Sequence, residues 1–200
     1  MVETLDNWRQ SGGTFAWRGH EVFIRRGGDA AAPVLLLIHG FPTASWDYAP
    51  VWDELTSHWR VLTLDMLGFG FSAKPRGYPY SIFHQAELCE AYLRAESVTT
   101  YHALAHDYGD TVAQELLARQ GDAGSVGPRL ASVCLLNGGI FPEAHSPLLI
   151  QRLLSSPLGP LAARLSTRGS FARSMRRIFD PQRPPTPAEL DGLWALVTHG

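Results

Sequence analysis

Two hundred residues, 45% hydrophobic and 18% charged with a net charge of −2, fit one soluble globular domain with a sizeable core. There is no clustered basic excess, which excludes a nucleic-acid binder. The N-terminal MVETLDNWRQSGG is polar and lacks the apolar core of a signal peptide. The longest apolar run, residues 34–38, is far too short to cross a bilayer, so no membrane segment is expected and the expected location is cytoplasmic. Cys89 and Cys134 each lie in an apolar segment and are expected to be buried, reduced thiols rather than a disulfide framework.

In chain order, residues 14–17 and 21–25 are short β-prone runs around Arg18, Gly19 and His20, which predicts an antiparallel hairpin. VLLLIHG follows, an aliphatic run apolar on both faces, as a strand inside a parallel sheet must be. Further strands are predicted at residues 61–65, 101–105 and 133–137. A helix capped by Ser81 is predicted to bury Ile82, Phe83, Ala86, Cys89 and Leu93. A second helix, ending near Gly121, is predicted to bury Val112, Leu116 and Leu117. Strands alternating with helices of this length mean βαβ units and a mainly parallel α/β sheet with flanking helices. From Ile140 onward there are only helical stretches, broken by Pro157, Pro160 and the loop PQRPPTP. The last opens on Thr186, Pro187 and Glu189, a capping box with proline at the first helical position. The expected organisation is a core over residues 1–139 and a helical lid over 140–200 at the ligand-binding edge of the sheet.

The segment YHALAHDYGDTVA carries the chemistry. A strand, a tight turn with small residues at Ala105 and Gly109, and a helix make the small-x-nucleophile-x-Gly elbow, with Asp107 as the nucleophile. Aspartate, unlike serine, is ionised at neutral pH and can attack an electrophilic carbon without a base, giving a covalent ester. Hydrolysis of that ester does need a base. His39, Gly40, Phe41 and Pro42 follow the first long parallel strand, and the amide of Phe41 with that of Tyr108 is expected to form an oxyanion hole. His39, Gly40, Pro42 and His106 are the further expected pocket residues.

HGFPTASWDY, DMLGFGFSAKP and HDYGDTVAQELL, in this order, resemble the α/β-hydrolase families of epoxide hydrolases and haloalkane dehalogenases. HDYGDTVAQELLAR and NGGIFPEAHSPLLIQRLL carry a further resemblance, to the mesoderm-specific transcript family and its bacterial relatives. The resemblance implies an α/β-hydrolase fold acting on a small apolar electrophile, with no cofactor and no metal. Dehalogenases of this group place asparagine after HG and tryptophan after the nucleophile as halide donors. Phe41 and Tyr108 stand there instead, so epoxides are expected ahead of haloalkanes. Epoxide hydrolases, however, activate the epoxide oxygen with lid tyrosines, and residues 140–200 contain none. Asn137 stands where a related arrangement places the triad acid. In these families the acid and the histidine follow the lid, so the chain is expected to stop before them and before the last strands. The resulting expectation is an Asp-nucleophile hydrolase, with a haloalkane dehalogenase-like enzyme or a non-catalytic small-molecule binder as alternatives. The sequence leaves the oligomeric state open.

Simpler readings compete at several positions. Asp107 as a mere helix cap is the weaker reading, whereas a structural His39 is the favoured one. Asp65 is expected to tie down the loop after its strand. Gly68 and Gly70 lack the spacing of a dinucleotide fingerprint. His102 and His106, four apart on a strand, are not at helical zinc-pair spacing. His199 ends a lid helix. Arg164, Arg168, Arg173, Arg176 and Arg177 are expected to form a solvated face.

Overall fold

A computed structural model describes residues 3–121, 127–138 and 167–199. The chain divides into two units, Met1–Ile140 with His199–Gly200, and Phe141–Thr198. In the first, strands β1 (Gly13–Trp17), β2 (His20–Gly27), β3 (Val34–Ile38), β4 (Arg60–Leu64), β5 (Thr100–His106) and β6 (Arg129–Leu136) form one sheet in the order β1-β2-β4-β3-β5-β6. The hairpin is antiparallel, with Trp17 opposite His20, and β2 joins β4 antiparallel; β4, β3, β5 and β6 are mutually parallel. All five side chains of β3 are buried, as its unbroken aliphatic run requires at the centre of a sheet covered on both faces.

Helices α1 (Leu5–Gln10), α2 (Trp52–His58), α3 (Ile82–Ala95) and α4 (Tyr108–Gln120) flank the sheet, and a 3-10 turn spans Ser45–Val51. Ser81 caps α3 by accepting the His84 amide at 3.2 Å. Trp8 of α1 is fully buried and donates to Ser45 Oγ at 3.2 Å. Arg25 lies between the rings of Trp8 and Trp52, 4.0 and 4.5 Å from their centroids, so its buried charge meets two π faces as well as Glu3.

Three burial expectations need correction. Phe83 and Leu117 are exposed. On α3 the buried residues are Gln85, Ala86, Leu88, Cys89, Tyr92 and Leu93, and on α4 Gly109, Asp110, Val112, Ala113 and Leu116. Cys89 is buried, and desolvation pushes its thiol up to about 12, but Cys134 is exposed because β6 lies at an edge of the sheet. Strand β6 also begins at Arg129, ahead of the expected 133, and stops before Asn137.

In the second unit, α5 (Arg168–Ile178) and α6 (Pro187–Thr198) pack through Ala172, Met175, Leu190, Leu193 and Leu196, with the Phe171 and Trp194 rings 5.4 Å apart. The Thr186–Glu189 capping box is formed: Thr186 N donates to Glu189 Oε2 at 2.7 Å and Glu189 N to Thr186 Oγ1 at 3.2 Å. Arg173, Arg176 and Arg177 are exposed, a solvated face, whereas Arg168 pairs with Asp191. Arg164, Pro157, Pro160 and Gly139 lie outside the described residues.

Candidate active site

Sheet register creates the site. Ile38 pairs with Ala105 in parallel, so the chain leaving β3 at His39, Gly40 and Phe41 runs beside the chain leaving β5 at His106 and Asp107. Crossovers from β3 go in opposite directions here, β4 lying on one side and β5 on the other. That is a topological switch point, where an open α/β sheet leaves a crevice at its carboxyl edge.

Asp107 turns the chain from β5 into α4 with φ 54° and ψ −118°, a left-handed conformation that non-glycine residues adopt only under constraint. Two glycines allow it. A Cβ on Gly40 would lie 2.7 Å from Asp107 Cβ and 2.8 Å from His106 Nδ1, and a Cβ on Gly109 would collide with the carbonyls of Ile38 and His39. The Asp107 side chain is exposed and makes no capping bond to its own helix, which removes the simple N-cap reading. Instead Asp107 Oδ1 accepts the Phe41 amide at 2.8 Å. Tyr108 is the first residue of α4, so its amide is among those at a helix N-terminus without an intrahelical acceptor.

Aromatic residues cluster at the turn. Phe41, whose amide meets Asp107, is 51% exposed. It meets the Phe69 ring edge-on at 6.2 Å, and Phe69 leans on Tyr108 at 5.8 Å and on His39 at 5.3 Å. Pro42 is half-buried and follows a cis peptide bond.

The histidines differ. His39 is fully buried; its Nδ1 lies 2.9 Å from Gly40 O and its Nε2 accepts the Met66 amide at 2.9 Å. With one nitrogen donating and the other accepting, the ring is a neutral tautomer, and burial lowers its pKa. It ties down two backbone turns and has no nitrogen left for chemistry. His106 Nε2 lies 3.2 Å from Asp47 Oδ2, an ion-pair distance without the alignment of a hydrogen bond. Burial works against its charge, but Asp47, Asp107 and Asp110 outweigh it, and its pKa is raised. Thr43 Oγ1 donates to the same Asp47 oxygen. His102 bonds Ser132 Oγ at 2.7 Å and packs on Trp59.

One turn into α4, Asp110 is completely buried and burial raises its pKa. Its Oδ1 accepts the Leu136 amide at 3.3 Å, while Leu136 O accepts the Asp107 amide at 3.2 Å. The end of β6 is thereby stitched to the elbow. Asp47, Phe69 and Asp110 have no role in the sequence reading. Asp47 and Asp110 sit inside the quoted motifs, but no spacing rule connects either to His106.

Residues 33–186 match the family described as alpha/beta hydrolase fold. With a mostly parallel sheet and a turn of this shape, the chain belongs to that family. It is 45% identical over 206 residues to the mesoderm-specific transcript homolog protein of Bos taurus, covering 100% of this chain and 62% of that protein. It is 41% identical to the putative hydrolase LipZ of Mycobacterium tuberculosis, covering 98% and 67%. Among solved structures, Cfl2 from Burkholderia cenocepacia superposes with a TM-score of 0.81 at 19% identity, over 94% of this chain and 66% of that one. The haloalkane dehalogenase DbeA from Bradyrhizobium elkani gives 0.76 at 22% (92% and 63%), and the epoxide hydrolase VrEH1 from Vigna radiata 0.68 at 22% (88% and 59%). At those identities the likeness is one of fold. The chain spans about 62% of the length of the mesoderm-specific transcript relative. No described helix is long and apolar enough to cross a membrane.

Proposed function

We propose that this chain carries the nucleophile of a hydrolase that acts through an ester on Asp107, with epoxides ahead of haloalkanes as substrates. The observation that carries the reading is the Asp107 carboxylate, exposed at a left-handed turn with one oxygen tied to the Phe41 amide. That bond differentiates the two oxygens. Oδ2 attacks the epoxide carbon, the ring C–O bond breaks, and the alkoxide takes up a proton from water. Oδ1 becomes the ester carbonyl, already facing the Phe41 N–H. When water adds to that carbonyl carbon, negative charge grows on Oδ1 and the Phe41 and Tyr108 amides act as the oxyanion hole. Collapse releases the diol and restores the carboxylate. Phe41 and Tyr108 offer aromatic rings where halide-binding side chains would be needed, which supports the preference for epoxides. Residues 140–200 serve as the lid element in this reading.

A second reading has its own support. Among the described residues, the two histidines at the elbow are committed elsewhere, His39 through both nitrogens to Gly40 and Met66 and His106 through Nε2 to Asp47. A chain that binds a small apolar molecule without reacting with it fits that observation.

Mass spectrometry separates the two. Incubation with styrene oxide should raise the mass of the Asp107-containing peptide by one whole epoxide, and Asp107→Asn should abolish the adduct. An alkyl bromide should react more slowly. Absence of both adduct and hydrolysis product with both electrophiles would sink the nucleophile reading and leave the binding one.

A further inference from the structure

We infer that Asp47 and His106 form a charge pair behind the elbow that makes the reactivity of Asp107 depend on the protonation of His106. The inference rests on Asp107 as nucleophile for its kinetic consequence, but not for the coupling itself.

The geometry places His106 against Asp47 on one side and against the turn that carries Asp107 on the other. Its Nε2 has no solvent contact and faces Asp47 Oδ2 at 3.2 Å. Its Nδ1 abuts Gly40 at the same point that Asp107 Cβ does, so the ring and the nucleophile share one wall. Asp47 is itself fixed, since Thr43 Oγ1 donates to the oxygen that meets the imidazole. Among the described residues, the groups facing His106 are Asp47 from the 3-10 turn, Asp107 and Asp110 at the start of α4, His39 from the end of β3, and the Tyr48 ring edge at 5.5 Å. Three carboxylates against one buried neutral imidazole favour the imidazolium, in agreement with the raised pKa of His106.

The consequence has a sign. Alkylation of Asp107 removes its negative charge, so a neighbouring imidazolium stabilises the free carboxylate relative to the ester. Loss of the His106 proton should therefore speed alkylation, by roughly fivefold for a partly screened charge at this range. His106 and Asp47 are positioning residues in this scheme.

The test follows styrene oxide labelling of the intact chain from about pH 5 to about pH 9, the window in which an imidazole changes charge. The wild-type rate should rise through an inflection above the ordinary histidine value. Asp47→Asn should move that inflection to lower pH, and His106→Gln should flatten the profile. An inflection that survives His106→Gln, or that ignores Asp47→Asn, overturns the inference. A second measurement is independent of reactivity. By NMR, the His106 ring should titrate above the ordinary value in the wild type and lower in both Asp47→Asn and Asp107→Asn. If Asp107→Asn leaves that titration unmoved, the coupling is absent whatever the labelling shows. If no adduct forms at any pH but the titration moves as described, the coupling stands and only the nucleophile reading fails.

Discussion

Asp65 and Asp107 leave one sheet in the same way, each just after the last residue of a parallel strand on either side of β3, yet their surroundings are opposite. Asp65 is fully buried, and its carboxylate is filled. Oδ1 takes the Ser45 amide at 2.8 Å and the Ser45 hydroxyl at 2.5 Å, and Oδ2 takes the Phe71 amide at 2.7 Å. A Cβ on Gly70, which sits at φ 51°, would lie 2.1 Å from Oδ2, so the loop can approach the carboxylate only with glycine there. Asp107 is exposed, and among the described residues its carboxylate receives one hydrogen bond. A carboxylate whose lone pairs are met by fixed donors is a fastener. One held by a single oxygen in a strained turn has been positioned without being used up.

The sharpest way to break that comparison is to remove the fastener. Asp65→Ala strands the Ser45 and Phe71 amides in the interior and should cost about 3–5 kcal/mol, the range for breaking a buried charged network from one side. Urea denaturation reads it directly. A loss below about 1 kcal/mol would mean that Asp65 is dispensable and that the contrast with Asp107 is one of exposure only.

Asp110 lies between these extremes, buried like Asp65 and met by the Leu136 amide at Oδ1. Asp110→Ala removes the acceptor for the Leu136 amide and should cost about 1–3 kcal/mol. The pH dependence follows from the raised pKa. The folded state holds the Asp110 proton to higher pH than the unfolded chain does, so this group's contribution to stability falls as pH rises from the ordinary carboxylate value through the folded one. Asp110→Asn, which keeps an acceptor and never ionises, should flatten that decline in denaturation curves taken across mildly acidic pH. A slope unchanged in Asp110→Asn would mean the buried carboxyl does not titrate in that range.

The elements that the sequence made legible are those whose signal is continuous or local. VLLLI admits only a strand buried on both faces, and Ser81 and Thr186 mark helix starts through bonds that span three residues. The elbow and its partner were readable because Ala105, Gly109 and Gly40 are small where two backbones must nearly touch. What escaped depended on partners distant in sequence. Gln85 is buried on α3 because its amide bonds both the N–H and the C=O of Leu67, at 3.1 and 2.9 Å. A polar residue on the packed face pulled the inferred apolar stripe round to Phe83. Cys134 looked buried because an apolar strand reads the same at the edge of a sheet as at its centre. Asp47 and His106 meet across a loop and a strand, and no local periodicity relates a 3-10 turn to the end of β5.

The smallest expected effect is the most specific to the comparison. Asp107 holds φ 54° and ψ −118°, a region that costs a non-glycine residue about 1–3 kcal/mol. Asp107→Gly relieves that strain but gives up the bond from the Phe41 amide, about 1 kcal/mol, and adds backbone entropy to the unfolded chain, about 0.5–1 kcal/mol. The net change should be close to zero or a slight gain. Asp107→Ala loses the same bond with no relief of φ and should be less stable than Asp107→Gly, by roughly 1 kcal/mol. Both remove the carboxylate and should remove styrene oxide labelling. The pair of variants thus isolates strain from chemistry at one position. A glycine variant that is clearly less stable than the alanine one would show that the turn at Asp107 stores no strain, and the residue would then be held there by the Phe41 bond alone.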